Sequence, residues 1–492
     1  MTAQSDGSAL KHAHLSLVGV LTQSIGFMGP VFSVAALLPL IVGLSATGRG
    51  AGAATPIAIV IAGAGICGVG WIIAQYAKRI HLCGSLYEYV CDSAGPRAGL
   101  ITGWLYYGAM LILGVATFLV LGGLTQSFLQ TAFGVNVAWW PLALGYVAIV
   151  VAVIAVGVQI SIRAQLILVA ISSAVVLAFS LFIIGRGGLG GHSLSLSPFN
   201  PFSIGRLDLL YGVLYGINMF IGFESAANLA EETADPKRHV PRAVMLSLTV
   251  VGAYFVVVAY AQDAGFGLNG TAWKNSVFPL QALASGHQFG SAGFGDFMSV
   301  LIIIDILAVA IGVGVAATRG ILAMARQGRL PAPLAVTHAR YRTPARAALL
   351  LGVVSVVAII AVWLGNGIFS RATGTPGVLQ PQWAPMFGWM AGFGGMGLAV
   401  MYLAVSAAGV RGLWHQVSHG KLIVAAVAGV LVSAGAIFGN IYKAQSPLNT
   451  VLWALLVWVA IGAAWSFFAL RQVTASEPAD RGPTVEATIP AD

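Results

Sequence analysis

Charge is scarce in this sequence. Asp, Glu, Lys and Arg make up 8% of its 492 residues, against about a quarter in soluble domains, and 58% are hydrophobic, with a mean hydropathy of +0.89. That excludes an ordinary water-soluble fold. Cysteine is scarcer still: Cys67 lies inside an apolar run, and Cys83 and Cys91 fall on the side expected to face the cytoplasm, where a disulfide is not expected. No Cys/His spacing of a metal site appears, and no cofactor motif. The nine histidines all lie in tails, loops or run edges, which argues against a histidine relay through the membrane. The alternation of a β-barrel is missing. So are the clustered polar residues at one depth that a membrane enzyme needs, and the polar pore-lining helix that a channel usually presents.

What is present is a repeated apolar run. Segments each long enough to cross a hydrocarbon core of roughly 30 Å recur at 15–44, 53–77, 98–125, 139–159, 164–185, 207–230, 241–262, 297–325, 345–364, 386–409, 420–441 and 448–470. They predict an all-α polytopic membrane protein with twelve transmembrane helices, numbered here spans 1 to 12. The first run follows a tail with one lysine, Lys11, is too long for a signal-peptide core and shows no cleavage site, so it is expected to stay as a helix. With an even number of spans both termini share a side, and the segments on that side hold 18 of the 24 Lys and Arg. The positive-inside rule then places both termini in the cytoplasm and the protein in the cytoplasmic (inner) membrane, with the lipid bilayer as a partner. This basic face accounts for the formal charge of +9, so no nucleic acid is implied. The tails, 1–14 and 471–492, are polar and expected to be disordered.

Two loops carry pattern of their own. In KRIHLCGSLYEYVCDSAGPRAGLITGW, Leu82, Leu86, Tyr89 and Val90 share a helical face, which predicts an amphipathic cytoplasmic helix lying at the membrane surface. The extracellular segment 263–295 is long enough to be functional or partly helical.

Two spans are interrupted. Span 1 carries SIGFMGP at its centre, with Gly26, Gly29 and Pro30, and span 6 carries Gly212, Gly216, Gly222 and a polar Asn218. They lie five spans apart. Matched broken helices point to a transporter built from two inverted five-helix repeats, here 15–185 and 205–409, with helices 11 and 12 at 420–470 appended (5+5 inverted repeat plus two C-terminal helices). Unwound backbone is tolerated in a membrane only where protein or a ligand cavity satisfies it. A half-helix starting near Gly29 and Pro30 aims N–H groups and a positive dipole end at such a cavity, which suits a carboxylate. Carbonyls freed around Tyr215 to Asn218 suit an ammonium. Glycine and proline also serve close helix packing in membranes, so span 1 alone is ambiguous and the matched break in span 6 gives it weight.

At the exit of span 6, GFESAANLAEETADPKRHVPRAV resembles the signature of the amino acid/polyamine/organocation (APC) permeases. GSLYEYVCDSAGPRAGLITGW is similar to that superfamily's entry to span 3, and TRGILAMARQGRLPAPLAVTHARYRTPARA to its span 8 exit. The resemblance implies a secondary amino-acid transporter working by alternating access, with a small-molecule amino acid held between spans 1, 3, 6, 8 and 10. It implies that the substrate carboxylate meets Ser24, Ile25, Gly26, Phe27, Met28 and Gly29, and that the amine meets Tyr215, Gly216 and Asn218. Where many members carry an aromatic gate this chain has Asn218, so Phe220 or Phe223 is expected to gate instead, or Asn218 to bond the substrate side chain.

Glu224, just after the span 6 break, and Asp305, within LIIIDILAVAIG of span 8, sit deep enough to suggest gating or a proton path, the alternatives being a brace for the gate and a cap on a vestibule. Sodium-coupled relatives place hydroxyls on span 8 beside span 1, and here the run ILAVAIGVGVAAT has none before Thr318; some proton-coupled relatives use a lysine on span 5, and here there is none. Proton coupling or substrate exchange is therefore expected over sodium. Glu231, Glu232 and Asp235 beside Lys237, Arg238 and Arg242, with Arg319 and Arg326, suggest cytoplasmic ion pairs that break on inward opening. A polyamine or other organic cation is the alternative substrate, and an ion channel the more distant alternative.

Overall fold

The computed structural model describes residues 10, 15–43, 49–276, 278–365, 371–372, 379–442 and 448–475. Among them, twelve helical segments are long and apolar enough to cross a membrane: Leu17–Val42, Gly52–Ala77, Pro96–Phe133, Trp139–Val156, Val158–Gly185, Arg206–Glu232, Pro236–Gly265, Ala292–Arg326, Ala345–Leu364, Trp383–Leu413, His419–Ile441 and Leu448–Phe467. Each of the twelve expected spans is there. The described strands are one two-residue antiparallel pair, Arg371–Ala372 with Leu379–Gln380, between spans 9 and 10. The tail calls fall almost entirely outside the described residues.

Small residues let the spans approach closely, since lipid gives helices no hydrophobic reason to associate and packing must do it. A Cβ on Gly394 of span 10 would lie 2.3 Å from Leu113 of span 3, and one on Gly320 of span 8 would overlap the Tyr107 ring of span 3. Gly212 and Gly216 of span 6 belong to this class, resting against Ala51 and Ala62. They mark packing, and the helix runs through them to Ile217.

The breaks lie elsewhere. Span 1 is an α-helix from Leu17 to Met28, stops at Gly29 and restarts at Pro30. Gly29 has φ +56°, a conformation that disfavours any Cβ, and a Cβ there would lie 2.3 Å from Val309 Cγ2. Pro30 occupies the first turn of the new half, where its missing N–H is not needed. In span 6 a 3₁₀ turn, Asn218–Phe220, follows the helix, Ile221 is extended, and Gly222 at φ +111° starts a 3₁₀ helix over Phe223–Glu232.

The break regions are stapled to each other. Ser24 Oγ donates to the Phe223 carbonyl at 2.7 Å and accepts from the Ala226 N–H at 3.1 Å, while Ser225 Oγ donates to the Gln23 carbonyl at 3.3 Å. Gln23 Nε2 donates to the Gly312 carbonyl of span 8 at 2.9 Å, and Gln165 Nε2 of span 5 to Gln23 Oε1 at 3.2 Å. Backbone that hydrocarbon cannot satisfy is thus satisfied by side chains of neighbouring spans.

The loop helix after span 2 forms over Leu86–Ala94, but against protein. Leu86, Tyr87, Glu88, Tyr89 and Val90 are all buried, while Leu82 lies outside the helix and is exposed. Its apolar face is covered by spans 3 and 10, not lipid. The segment after span 7 is partly helical as expected, at Gly270–Lys274 and Pro279–Ser285.

Candidate functional site

A cavity of about 330 Å³ opens at the two breaks, bounded by spans 1, 3, 6, 8 and 10 and by the facing ends of spans 11 and 12. It extends toward the end of the bundle that holds Leu40, Leu448 and Val451, opposite the end that holds Leu17 and Arg326. Its wall is mostly apolar, with Phe27, Met28, Phe32, Leu113, Val309 and Phe387 prominent, and its polar groups are Ser33, Thr117, Tyr215, Asn218 and Asn440. Among the described residues no charged side chain lines it.

Of the residues expected to hold substrate, Phe27, Met28, Tyr215 and Asn218 are on this wall. The others are not. Ser24 staples span 1 to span 6, and Ile25 faces a separate cavity of about 230 Å³ between spans 1, 5 and 7. Gly26 lies inside the helix, where a Cβ would meet Gln165 Oε1 at 2.4 Å. Gly29 supplies the break but is covered by Val309. Phe220 does not line the cavity: its ring packs edge-on to Phe255 at 5.5 Å, against Gly63 and Gly252 of spans 2 and 7. Phe223 is fully buried beneath the break, 5.5 Å from the Tyr402 ring. The Tyr215 and Gly216 carbonyls are not free either, since the 3₁₀ turn brings the Asn218 N–H back to them.

The N–H groups at the start of the second half of span 1 already have an anion. Val31 and Phe32 N–H donate to Asp305 Oδ2 at 3.1 and 2.8 Å, and Ser172 Oγ of span 5 donates to Asp305 Oδ1 at 3.0 Å. Span 6 repeats the arrangement with its own residue: Gly222 N–H donates to Glu224 Oε2 at 3.1 Å, joined by the Tyr402 hydroxyl at 2.8 Å, while the Tyr106 hydroxyl donates to Oε1 at 3.2 Å. Each internal N-terminus is therefore capped by a fully buried carboxylate, opposite in sign to the helix end it meets. Asp263, at the C-terminal end of span 7, is also buried, and neither of its oxygens is hydrogen-bonded.

The opposite end of the bundle is closed by charge and by the loop helix. Arg319 and Glu232 form a fully buried pair, Nε to Oε2 2.5 Å and Nη2 to Oε1 3.3 Å. Arg326 pairs with Glu231 at 2.8 Å, and Glu231 also accepts the Cys83 N–H at 2.9 Å. Asn228 Nδ2 donates to the Cys83 carbonyl at 3.2 Å, and Gln327 joins the Tyr87 hydroxyl and Glu88 Oε1, each at 2.6 Å. Burial pushes the Glu88 carboxyl up to about 7; the Gln327 hydrogen bond opposes this and Glu231 adds to it. Burial likewise holds the Cys83 thiol well above its ordinary value.

The expectation missed the outer wall. Phe32 and Ser33 sit one turn past the break, and Phe387, Ala391 and Gly395 come from FGWMAGFGGMG of span 10, whose glycine density was the available signal. Asn440 was unreadable as a site residue, because nothing in span 11 singles it out.

The amino acid permease family model matches residues 25–375. The methylthioribose transporter of Bacillus subtilis (strain 168) is 26% identical over 324 residues, 62% of this chain and 67% of that one. The branched-chain amino acid permease BcaP of the same organism is 26% identical over 340 residues, 63% and 68% of the two chains. The low-affinity putrescine importer PlaP of Escherichia coli (strain K12) is 24% identical over 296 residues, 58% and 62% of the two chains. The chain thus spans about two thirds of the length of these relatives. The solved structure of MhsT in complex with L-phenylalanine shares the fold, with a TM-score of 0.54 at 14% identity, over 87% of this chain and all of that one. By a family match that covers most of its length, the chain belongs to the amino acid permease family, transporters and not enzymes.

Proposed function

We propose that this permease moves a zwitterionic amino acid with an apolar side chain across the cytoplasmic membrane by alternating access, coupled to protons or by exchange. The observation that carries this is the cavity at the two breaks: about 330 Å³, apolar on most of its wall, with the opposite end of the bundle closed by the Arg319–Glu232 and Arg326–Glu231 pairs. A site that buries an apolar body and fixes a few polar groups is the usual form of a small-molecule pocket. Tyr215, Asn218, Ser33 and Thr117 are the polar groups within its wall. Phe223 and Glu224, packed on Tyr402 and Tyr106 behind the cavity wall, act as the brace of the inner gate. The five-span spacing of the breaks supports inverted repeats at 15–185 and 205–409, and the Lys and Arg distribution supports both termini in the cytoplasm. Sodium is disfavoured because span 8, over ILAVAIGVGVAAT, offers no hydroxyl before Thr318.

The polyamine reading has the putrescine importer behind it. Two ammonium groups need carboxylates on the wall, and both deep carboxylates lie behind it, engaged with backbone.

Thermal unfolding of the detergent-purified protein with each of the twenty amino acids, several polyamines and potassium, at pH 5.5 and 7.5, tests the proposal. A ligand at a hundred times its Kd adds about 2.7 kcal/mol to the folded state. Stabilisation by a few apolar amino acids, followed by their uptake into liposomes, is the expected result. Stabilisation by polyamines alone overturns it.

A further inference from the structure

We infer that Asp305 decides whether the cavity admits a carboxylate: ionised, it neutralises the outer half of span 1 and keeps the substrate's carboxylate out; protonated, it leaves that helix end positive for the substrate. The inference rests on the amino-acid reading above.

The argument is a balance of charge. A buried carboxylate without a compensating positive group is strongly disfavoured, and among the described residues the cavity wall has no Lys, Arg or His. The remaining sources of positive potential are the two internal helix N-termini, each equivalent to roughly half a charge. Span 6 spends its own on Glu224, which Tyr106, Tyr402 and Gly222 wrap completely, and none of these four residues touches the cavity. Span 1 spends its own on Asp305, but here the covering is thin. Phe32, whose N–H binds Asp305, and Val309, one turn beyond Asp305 on span 8, both form the cavity wall.

While Asp305 is ionised, a substrate carboxylate meets a helix end already matched by a full negative charge. Transfer of one proton from the aqueous side to Asp305 removes that charge and leaves the Val31 and Phe32 dipoles uncompensated, so one proton accompanies each carboxylate bound. The groups around Asp305 leave few other candidates. Span 5 presents Ser172 and span 7 presents Tyr254. The nearest charged residues along those spans, Arg163 and Asp263, are each nine residues away, as is Asp296 on span 8, about 13 Å along a helix. Span 1 has no titratable side chain between Leu17 and Val42.

The test uses the full-length protein in detergent, wild type and Asp305→Asn. Heats of binding are measured for L-leucine, L-methionine and L-phenylalanine and for the matching amino alcohols, which keep the amine and side chain but lack the carboxylate. Buffers of different ionisation heat, at pH 6 and 7.5, give the number of protons taken up. The wild type is expected to take up one proton per amino acid at pH 7.5 and none per amino alcohol, and its amino-acid affinity to fall by up to about thirtyfold between pH 6 and 7.5. Asp305→Asn is expected to bind the amino acid with no proton uptake and equal affinity at both values. Should Asp305→Asn fail to fold, Ser172→Ala removes one hydrogen bond from the ionised form and is expected to raise the pH at which amino-acid affinity is lost. Amino-acid binding by the wild type without proton uptake, or with the same uptake in Asp305→Asn, overturns the inference and leaves the amino-acid reading standing. Binding of amino alcohols but of no amino acid, in both proteins, overturns the two together.

Discussion

Glu88 makes the docking of the loop helix Leu86–Ala94 a function of pH, and the size of the effect follows from its burial. Docked, the side chain is enclosed beside Gln327 and Glu231, and burial lifts its pKa from the ordinary 4.5 to about 7. Undocked, it faces water and keeps the ordinary value. Below pH 4.5 both states are protonated and docking carries no penalty. As pH rises toward 7, the undocked segment loses its proton first and docking weakens, by about 3 kcal/mol, or roughly 300-fold, once pH exceeds the docked value. Cys83 reports the change, because its thiol is fully buried under this segment and donates to the Arg319 carbonyl at 3.6 Å. In a background with Cys67 and Cys91 replaced by serine, the rate of Cys83 alkylation by N-ethylmaleimide is compared between Glu88 and Glu88→Gln at pH 5.5, 7 and 8. The thiol's own ionisation enters both rates alike and cancels in their ratio. That ratio is expected to be about tenfold at pH 5.5 and to rise to roughly 300-fold at pH 8, with the glutamate protein the faster. A ratio that stays at one across the range refutes the reasoning, because burial of Glu88 would then not oppose docking.

Two further outcomes follow from single positions. Gly29→Ala places a Cβ at φ +56° and 2.3 Å from Val309 Cγ2, so the melting temperature and amino-acid uptake should both fall; adding Val309→Ala should recover the steric part but not the left-handed strain, about 1 kcal/mol or more. Arg319→Leu leaves Glu232 buried and unpaired, at a cost of about 3–5 kcal/mol in thermal stability, and the Arg319→Leu/Glu232→Leu double variant should regain most of it. Equal losses in the single and double variants would show that the pair does not hold this end of the bundle.

The fold was legible because lipid imposes one requirement on every span: about 20 apolar residues with their backbone satisfied within the helix. Residues inside the spans were harder to place. Gly212, Gly216, Gly26 and Gly222 look alike in the sequence, yet the first three pack against Ala51, Ala62 and Gln165 while Gly222 turns the chain. Only the neighbour decides between these roles, and the neighbour lies on another span. The loop helix shows the same limit. Its apolar face at Leu86, Tyr89 and Val90 is real, but amphipathicity reports that a face is buried without saying whether lipid or protein buries it.

The positive helix end in span 1 was legible in Gly29 and Pro30, and its match with an anion followed from elementary electrostatics. What the sequence could not show is that the anion is resident: Asp305 lies 274 residues from Val31. The two facts were present separately, a broken helix that needs a negative charge and a deep carboxylate that needs a reason. Burying either alone is costly, and pairing them removes both costs at once, so a membrane protein with two broken spans and two deep carboxylates is best searched first for that pairing. Only a carboxylate whose partners also border the cavity, as Phe32 does for Asp305 and none of the Glu224 partners does, remains available to answer a substrate's charge.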